Sequence, residues 1–63
     1  MRAFEAIKIG SDLLKKRNIQ THILDSELLL SKTLDKSREE ILVKLDQNIN
    51  RGKFLVFKEY LER

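Results

Sequence analysis

The stretch that decides the fold is Asp25-Ser26-Glu27-Leu28-Leu29-Leu30. It lies inside a segment that is predicted to be helical from His22 to about Leu34, after Thr21 as the N-cap. Three consecutive leucines cannot all face one partner helix, because neighbouring residues on a helix point about 100° apart. A helix that is apolar around more than half its circumference has to be wrapped by neighbours. We therefore expect this segment to be the central helix of a bundle, with Leu28–Leu30 enclosed.

Three amphipathic helices are predicted around this central one. The first runs from Arg2 to Arg17, ends with Asn18 in the left-handed conformation, and places on one face Ala3, Phe4, Ile7, Gly10, Leu13 and Leu14. Ser37-Arg38-Glu39-Glu40 is a capping box that begins a third helix, expected to run to about Leu45 with Ile41, Leu42 and Leu45 inward. A polar loop held by Ile49 follows. Asn50 is the predicted N-cap of the last helix, whose apolar residues are Phe54, Phe57, Tyr60 and Leu61.

Composition limits both the fold class and the kinds of site. The chain has 63 residues, of which 41% are hydrophobic, so we expect one domain with one compact core. No proline and only two glycines leave little turn chemistry for an all-β fold. The predicted class is all-α, a small bundle of about four helices with short connections. No cysteine and a single histidine exclude a disulfide framework and are poor material for a metal centre. Because there is no long apolar run and no signal-peptide pattern, the expected compartment is the cytosol and no membrane is expected as a partner.

The order of these features resembles the N-terminal domain of the HemK/PrmC family. Asp25–Leu30 is similar to the family's D-A-E-L-L-L core, and Leu34–Leu42 resembles the L-G-x-x-R-x-x-L stretch that follows it. The last part of the family's N-terminal domain has a pattern similar to that of Leu45-Asp46, Ile49-Asn50, Phe54, Phe57, Leu61 and Arg63. The chain departs from the family at His22 and Asn48, where proline is common, and at Gly52, where an acidic residue is common. These departures lie in caps and loops and leave the core pattern intact.

The resemblance implies a function that is indirect for this chain. Enzymes of the family use S-adenosylmethionine to methylate the glutamine of the Gly-Gly-Gln motif in peptide-chain release factors. Their catalytic domain carries a Gly-rich cofactor loop and an Asn-Pro-Pro-Tyr motif, and neither occurs in this sequence. Residues 1–63 are therefore expected to be a substrate-docking domain without catalytic, cofactor-binding or metal-binding residues, cut from a parent that is an enzyme. The expected partners are a release factor and the parent's own C-terminal catalytic domain.

Basic side chains are the candidate contacts for such a partner. They are Lys15, Lys16, Arg17, Lys36 and Arg38, and Lys32 is a further candidate contributor. The competing interpretation of the first three is a solvated helix end whose cations complement the helix dipole, and the abundance of surface lysines favours it.

Other residues with functional potential are given structural interpretations. His22 is expected to be an exposed first-turn residue rather than a ligand or pH switch, since no second ligand type clusters near it. Asp25 and Glu27 lie two positions apart on a helix and point to different faces, so they are not expected to form a catalytic pair. Glu27 is expected to pair with a cation such as Arg38. For Leu28–Leu30, the alternative to enclosure is that one side lies where the linker and catalytic domain dock.

Two other functions remain open from the sequence. A small basic helical module for DNA or RNA is suggested by the pI of about 9.5, but 13 Lys and Arg are interleaved with 10 Asp and Glu and leave a net charge of only +3. This pattern argues against nucleic acid as a partner. A free-standing adaptor or dimerising bundle is the other alternative.

Overall fold

The structure is a computed structural model that describes residues 1–63. It contains four helices and no strand. They are α1 (Ala3–Lys16), α2 (His22–Leu34), α3 (Arg38–Leu42) and α4 (Arg51–Leu61). α1 packs chiefly against α2, and α4 contacts both of them, while α3 contacts α2. The predicted all-α bundle is confirmed.

α1 and α2 form an antiparallel pair that meets along small residues. Ser26 is fully buried, and its hydroxyl donates to the carbonyl of Ile7 at 2.8 Å. A Cβ built on Gly10 would lie only 2.3 Å from Ser26 Oγ and 2.8 Å from the ring of Phe57. Gly10 therefore marks the point where α1, α2 and α4 come closest, and only a residue without a side chain fits there.

The core is one cluster contributed by all four helices and the last loop. Its members are Ala3, Ala6, Ile7, Leu14, Leu30, Ile41, Ile49, Phe57 and Leu61. Ile49 holds the polar loop to the core as predicted, and Phe57 is fully buried at its centre. Buried hydroxyls along α2 are satisfied by backbone carbonyls, as when Thr33 donates to Leu29 at 2.8 Å.

The predicted position of Phe4 on the inward face of α1 is wrong, because its side chain is 50% exposed. The inward face is centred instead on Ala3, Ala6 and Gly10, which are all buried. Small residues at this spacing let α2 and α4 approach closely, and Phe4 lies at the edge of that contact.

The expected enclosure of α2 is only partly realised. Leu30 is fully buried and Leu29 is half-buried, but Leu28 is 48% exposed. Ile23 and Leu24 are exposed as well. α3 has only five residues, so it covers α2 over a short distance and leaves one side of α2 open.

Most of the predicted helix ends are confirmed. Asn18 has a positive φ of 63°. Ser37 and Glu40 form both hydrogen bonds of the capping box, with the Glu40 amide donating to Ser37 Oγ and the Ser37 amide donating to the Glu40 carboxylate. The side chain of Asn50 accepts from the amide of Lys53 at 2.8 Å. Thr21 precedes α2 as predicted but does not cap it.

The hydroxyl of Thr21 instead donates to the carboxylate of Asp25 at 3.1 Å. α3 also stops at Leu42, earlier than the predicted Leu45. After it, the chain turns so that the carbonyls of Leu45 and Gln47 accept hydrogen bonds from the first amides of α1. Those amides have no partner inside their own helix, so this pairing stabilises the start of α1 and favours the early end of α3. Leu45 is left exposed.

Candidate docking surface

The five predicted basic contacts fall into two groups at opposite ends of the bundle. Lys15–Arg17 lie at the C-terminal end of α1, whereas Lys36 and Arg38 lie just after the C-terminal end of α2. Since α1 and α2 are antiparallel and α2 has 13 residues, about 20 Å separates the two groups. The structure therefore brings the first three together but does not join them to the other two in one surface.

Arg38 takes part in the packing of the bundle. Its Nε donates to Glu27 Oε1 at 2.7 Å, and Glu27 is only 9% exposed. The predicted pairing of Glu27 with Arg38 is confirmed, and it ties α3 to α2. At the same end, Lys36 donates to Gln47 Oε1 at 3.3 Å.

Arg17 joins the two helix ends at the opposite side of the bundle. Its guanidinium donates to the carbonyl of Leu61, so the end of α1 is tied to the end of α4. Lys15 and Lys16 form no ion pair. The fixed guanidinium of Arg17 lies on the wall of a groove, which the two lysines do not line.

This groove lies between α2 and the end of α4 and has a volume of about 380 Å³. Six apolar residues form most of its surface, namely Leu14, Ile19, Leu28, Leu29, Tyr60 and Leu61. Arg17, Asp25 and Arg63 supply the charged part of the lining. We call it the α2–α4 groove. The groove forms because no helix packs against the exposed side of Leu28.

Two cations lie close to the ring of Tyr60 in the α2–α4 groove. The ammonium of Lys32 lies 4.8 Å from the centroid of the Tyr60 ring, and the guanidinium carbon of Arg63 lies 5.8 Å from it. Both distances are within the range of cation–π attraction. The ring therefore holds two positive charges beside an apolar surface.

A second groove lies between α1 and α4 and has a volume of about 480 Å³. Its lining comprises Met1, Ile9, Asp12, Leu13, Lys16, Phe54 and Lys58. The Asp12 carboxylate forms an exposed ion pair with Lys8 at 3.7 Å. This groove is separate from the Tyr60 cluster.

His22 is not the exposed residue that the sequence predicts. It is half-buried, and its Nδ1 lies 2.6 Å from the hydroxyl of the buried Ser11. The antiparallel pairing of α1 and α2 places these two residues opposite each other. Asp25 and Glu27 diverge as predicted, with Asp25 lining the α2–α4 groove and Glu27 facing α3.

One carboxyl group has a clearly shifted pKa. The backbone amide of Ser37, then its hydroxyl and the charge of Lys36, lower the pKa of Glu40 below its usual value. All of these contacts belong to the cap of α3. The shift therefore reports helix capping rather than an acid–base site.

The structure contains no group of three or more His, Cys, Asp and Glu side chains placed to hold a metal ion. Its helices also lack the length and apolar character that a membrane-crossing helix requires.

The sequence pointed to Arg17, Leu28 and Lys32 separately, but it did not predict that they lie at one groove. Ile19, Leu28, Lys32, Tyr60 and Arg63 come from separate segments and meet only in the folded chain. The available signal was the spacing of Leu28 and Lys32, which lie four positions apart and so share one side of α2.

A comparison with protein families matches the chain to the PrmC N-terminal domain over residues 5–63. No curated protein and no solved structure gives a significant match. The family match includes α2, α3 and α4 completely and α1 from its third residue onward. Since the match extends over nearly the whole bundle, the chain belongs to the family of PrmC N-terminal domains and is a domain of the release-factor methyltransferase family.

Proposed function

We propose that this domain binds a peptide-chain release factor for a protein-glutamine methyltransferase, which methylates the glutamine of the Gly-Gly-Gln motif. The observation that carries the proposal is the family match over residues 5–63. The exposed apolar side of α2 supports it, because an apolar groove lined with cations is a suitable surface for a protein partner.

The residues of this chain do not fit S-adenosylmethionine. Both glycines lie inside helices, Gly10 in α1 and Gly52 in α4, and neither has a positive φ. A Gly-rich turn between a strand and a helix, which brings backbone amides close to a cofactor, is therefore missing. We propose that the cofactor and the methyl transfer belong to a catalytic domain joined to this one.

In this proposal the bundle contributes binding energy far from the reacting atoms. Contacts between the bundle and the release factor hold the substrate, so that its glutamine enters the catalytic domain in a restricted set of orientations. Binding energy from remote parts of a substrate then lowers the barrier at the reacting centre. The proposed place of action is the cytosol, where translation terminates.

A competition assay tests this proposal. The isolated chain is added to a full-length enzyme of the family that is methylating an intact release factor. The expected result is inhibition that rises with the concentration of the chain, because the free domain occupies the docking site on the substrate. A short peptide containing Gly-Gly-Gln serves as the control substrate, and its methylation is expected to stay unchanged. Undiminished methylation of the intact release factor at saturating chain would refute the proposal.

A further inference from the structure

The α2–α4 groove combines an apolar floor with an excess of positive charge. Arg17 and Arg63 line it, and Lys32 lies against the ring of Tyr60. None of these cations takes part in either of the two ion pairs of the structure. Asp25 is the single acidic residue of the lining, and it already accepts a hydrogen bond from Thr21. The charge excess is therefore available to a partner.

The cations are also held in place before any partner binds. The hydrogen bond from Arg17 to the carbonyl of Leu61 fixes one guanidinium on the wall. The Tyr60 ring attracts Lys32 and Arg63, whose charged groups lie 4.8 Å and 5.8 Å from its centroid. Cations that are already ordered lose less conformational entropy on binding than free surface lysines do.

At the edge of the apolar floor, the side chain of Leu28 is accessible to a partner. Leu28 is 48% exposed, while Leu29, Ile19 and Tyr60 beside it are half-buried.

The side chains lining the two grooves have the same net charge, since Lys16 and Lys58 accompany Asp12 in the second groove and Arg17 and Arg63 accompany Asp25 in the α2–α4 groove. The α2–α4 groove differs in having a further cation, Lys32, against its Tyr60 ring and a guanidinium, that of Arg17, hydrogen-bonded to the Leu61 carbonyl. These contacts make it the better match to an acidic partner.

We propose that the α2–α4 groove binds a short acidic segment of the protein substrate, which inserts an apolar side chain against Leu28 and Tyr60 and places carboxylates beside Arg17, Lys32 and Arg63. The inference rests on the proposed function, because the segment is assigned to the release factor. It adds which surface of the bundle makes the contact and which chemistry the bound segment presents. Lys36 and Arg38, at the other end of the bundle, are not expected to contact this segment.

The test measures binding of a purified release factor to the isolated chain by calorimetry. One variant removes the apolar edge, Leu28→Asn, and its matched control is Leu55→Asn, because Leu55 on α4 is 50% exposed and lies outside the groove. A second variant reverses the charges, Lys32→Glu with Arg63→Glu, and its control is Lys36→Glu. Circular dichroism confirms that each variant is folded.

The expected result is about tenfold or greater loss of affinity for each groove variant and a change within about twofold for each control. Affinity of the wild-type chain is also expected to fall as salt rises, and this slope is expected to flatten in the charge-reversed variant. Full affinity in both groove variants would overturn the inference and leave the proposed function standing. A loss with Lys36→Glu as large as that of the groove variants would overturn it as well.

Two further outcomes are distinguishable. If the wild-type chain does not bind the release factor at all, the proposed function fails together with the inference. If sedimentation shows a dimer of the chain that Leu28→Asn disrupts, the groove is occupied by a second copy and the inference is overturned.

Discussion

Replacing Gly10 with alanine separates helix propensity from packing, because the two predict opposite results. In an isolated helix the change would stabilise by about 1 kcal/mol, since alanine is the better helix former. In the bundle, the new Cβ would lie 2.3 Å from Ser26 Oγ, 2.8 Å from the Phe57 ring and 3.3 Å from Leu61. All three of these residues are buried, so the clash cannot be relieved into solvent.

The size of the effect follows from what has to move. The Ser26 hydroxyl must turn away from the Ile7 carbonyl, and a buried hydroxyl left without a partner costs about 1–3 kcal/mol. Displacing the Phe57 ring adds an overpacking cost of about 1–3 kcal/mol. After the gain in helix propensity, we expect Gly10→Ala to lower the free energy of unfolding by about 1–5 kcal/mol, with a central value of about 3 kcal/mol. For a domain of this size, the central value corresponds to a fall in melting temperature of about 10 °C or more.

Urea and thermal unfolding followed by far-UV circular dichroism measure this difference. Gly52→Ala is the matched control, because the nearest atom to its added Cβ is 3.5 Å away. That control is expected to be neutral or up to about 1 kcal/mol more stable. Adding Ser26→Ala to Gly10→Ala removes the closest contact and should recover part of the loss. A Gly10→Ala chain as stable as the wild type would refute the close approach of the three helices.

Three further predictions concern the caps and the core. Arg38→Ala should lower the free energy of unfolding by about 1–3 kcal/mol, because it leaves the mostly buried Glu27 without its partner; urea unfolding measures this. Ile49→Ala should cost about 2–4 kcal/mol in the same assay, since it removes most of a buried side chain that holds the last loop. Ser37→Ala should cost about 1 kcal/mol and raise the pKa of Glu40 toward its usual value, which NMR titration of the carboxyl carbon detects. Since the pKa of Glu40 is lowered by folding, its contribution to stability should be present above the unfolded pKa and disappear as the pH falls through the folded pKa.

The sequence predicted the helices and most of their caps, because these depend on neighbours in the chain. The capping box of Ser37 and Glu40, the N-cap at Asn50 and the left-handed Asn18 are all local features. The early end of α3 was missed because it depends on hydrogen bonds between the following loop and the start of α1. A pattern within one segment carries no information on such a distant contact.

The inward faces were harder to predict than the helices themselves. Large apolar residues suggested that Phe4 and Leu28 are enclosed, yet both are about half exposed. The closest helix contacts are made by Gly10 and Ser26, which hydrophobic patterning does not weight. The α2–α4 groove was missed for the same reason, since its residues come from separate segments and only the packing of the helices joins them.

Calorimetric titration of the isolated chain with a release factor and, separately, with S-adenosylmethionine tests whether the bundle binds the substrate protein and leaves the cofactor to another domain. We expect saturable binding of the release factor and no heat of binding with the cofactor. Absence of binding to the release factor, or a clear titration with the cofactor, would contradict this expectation.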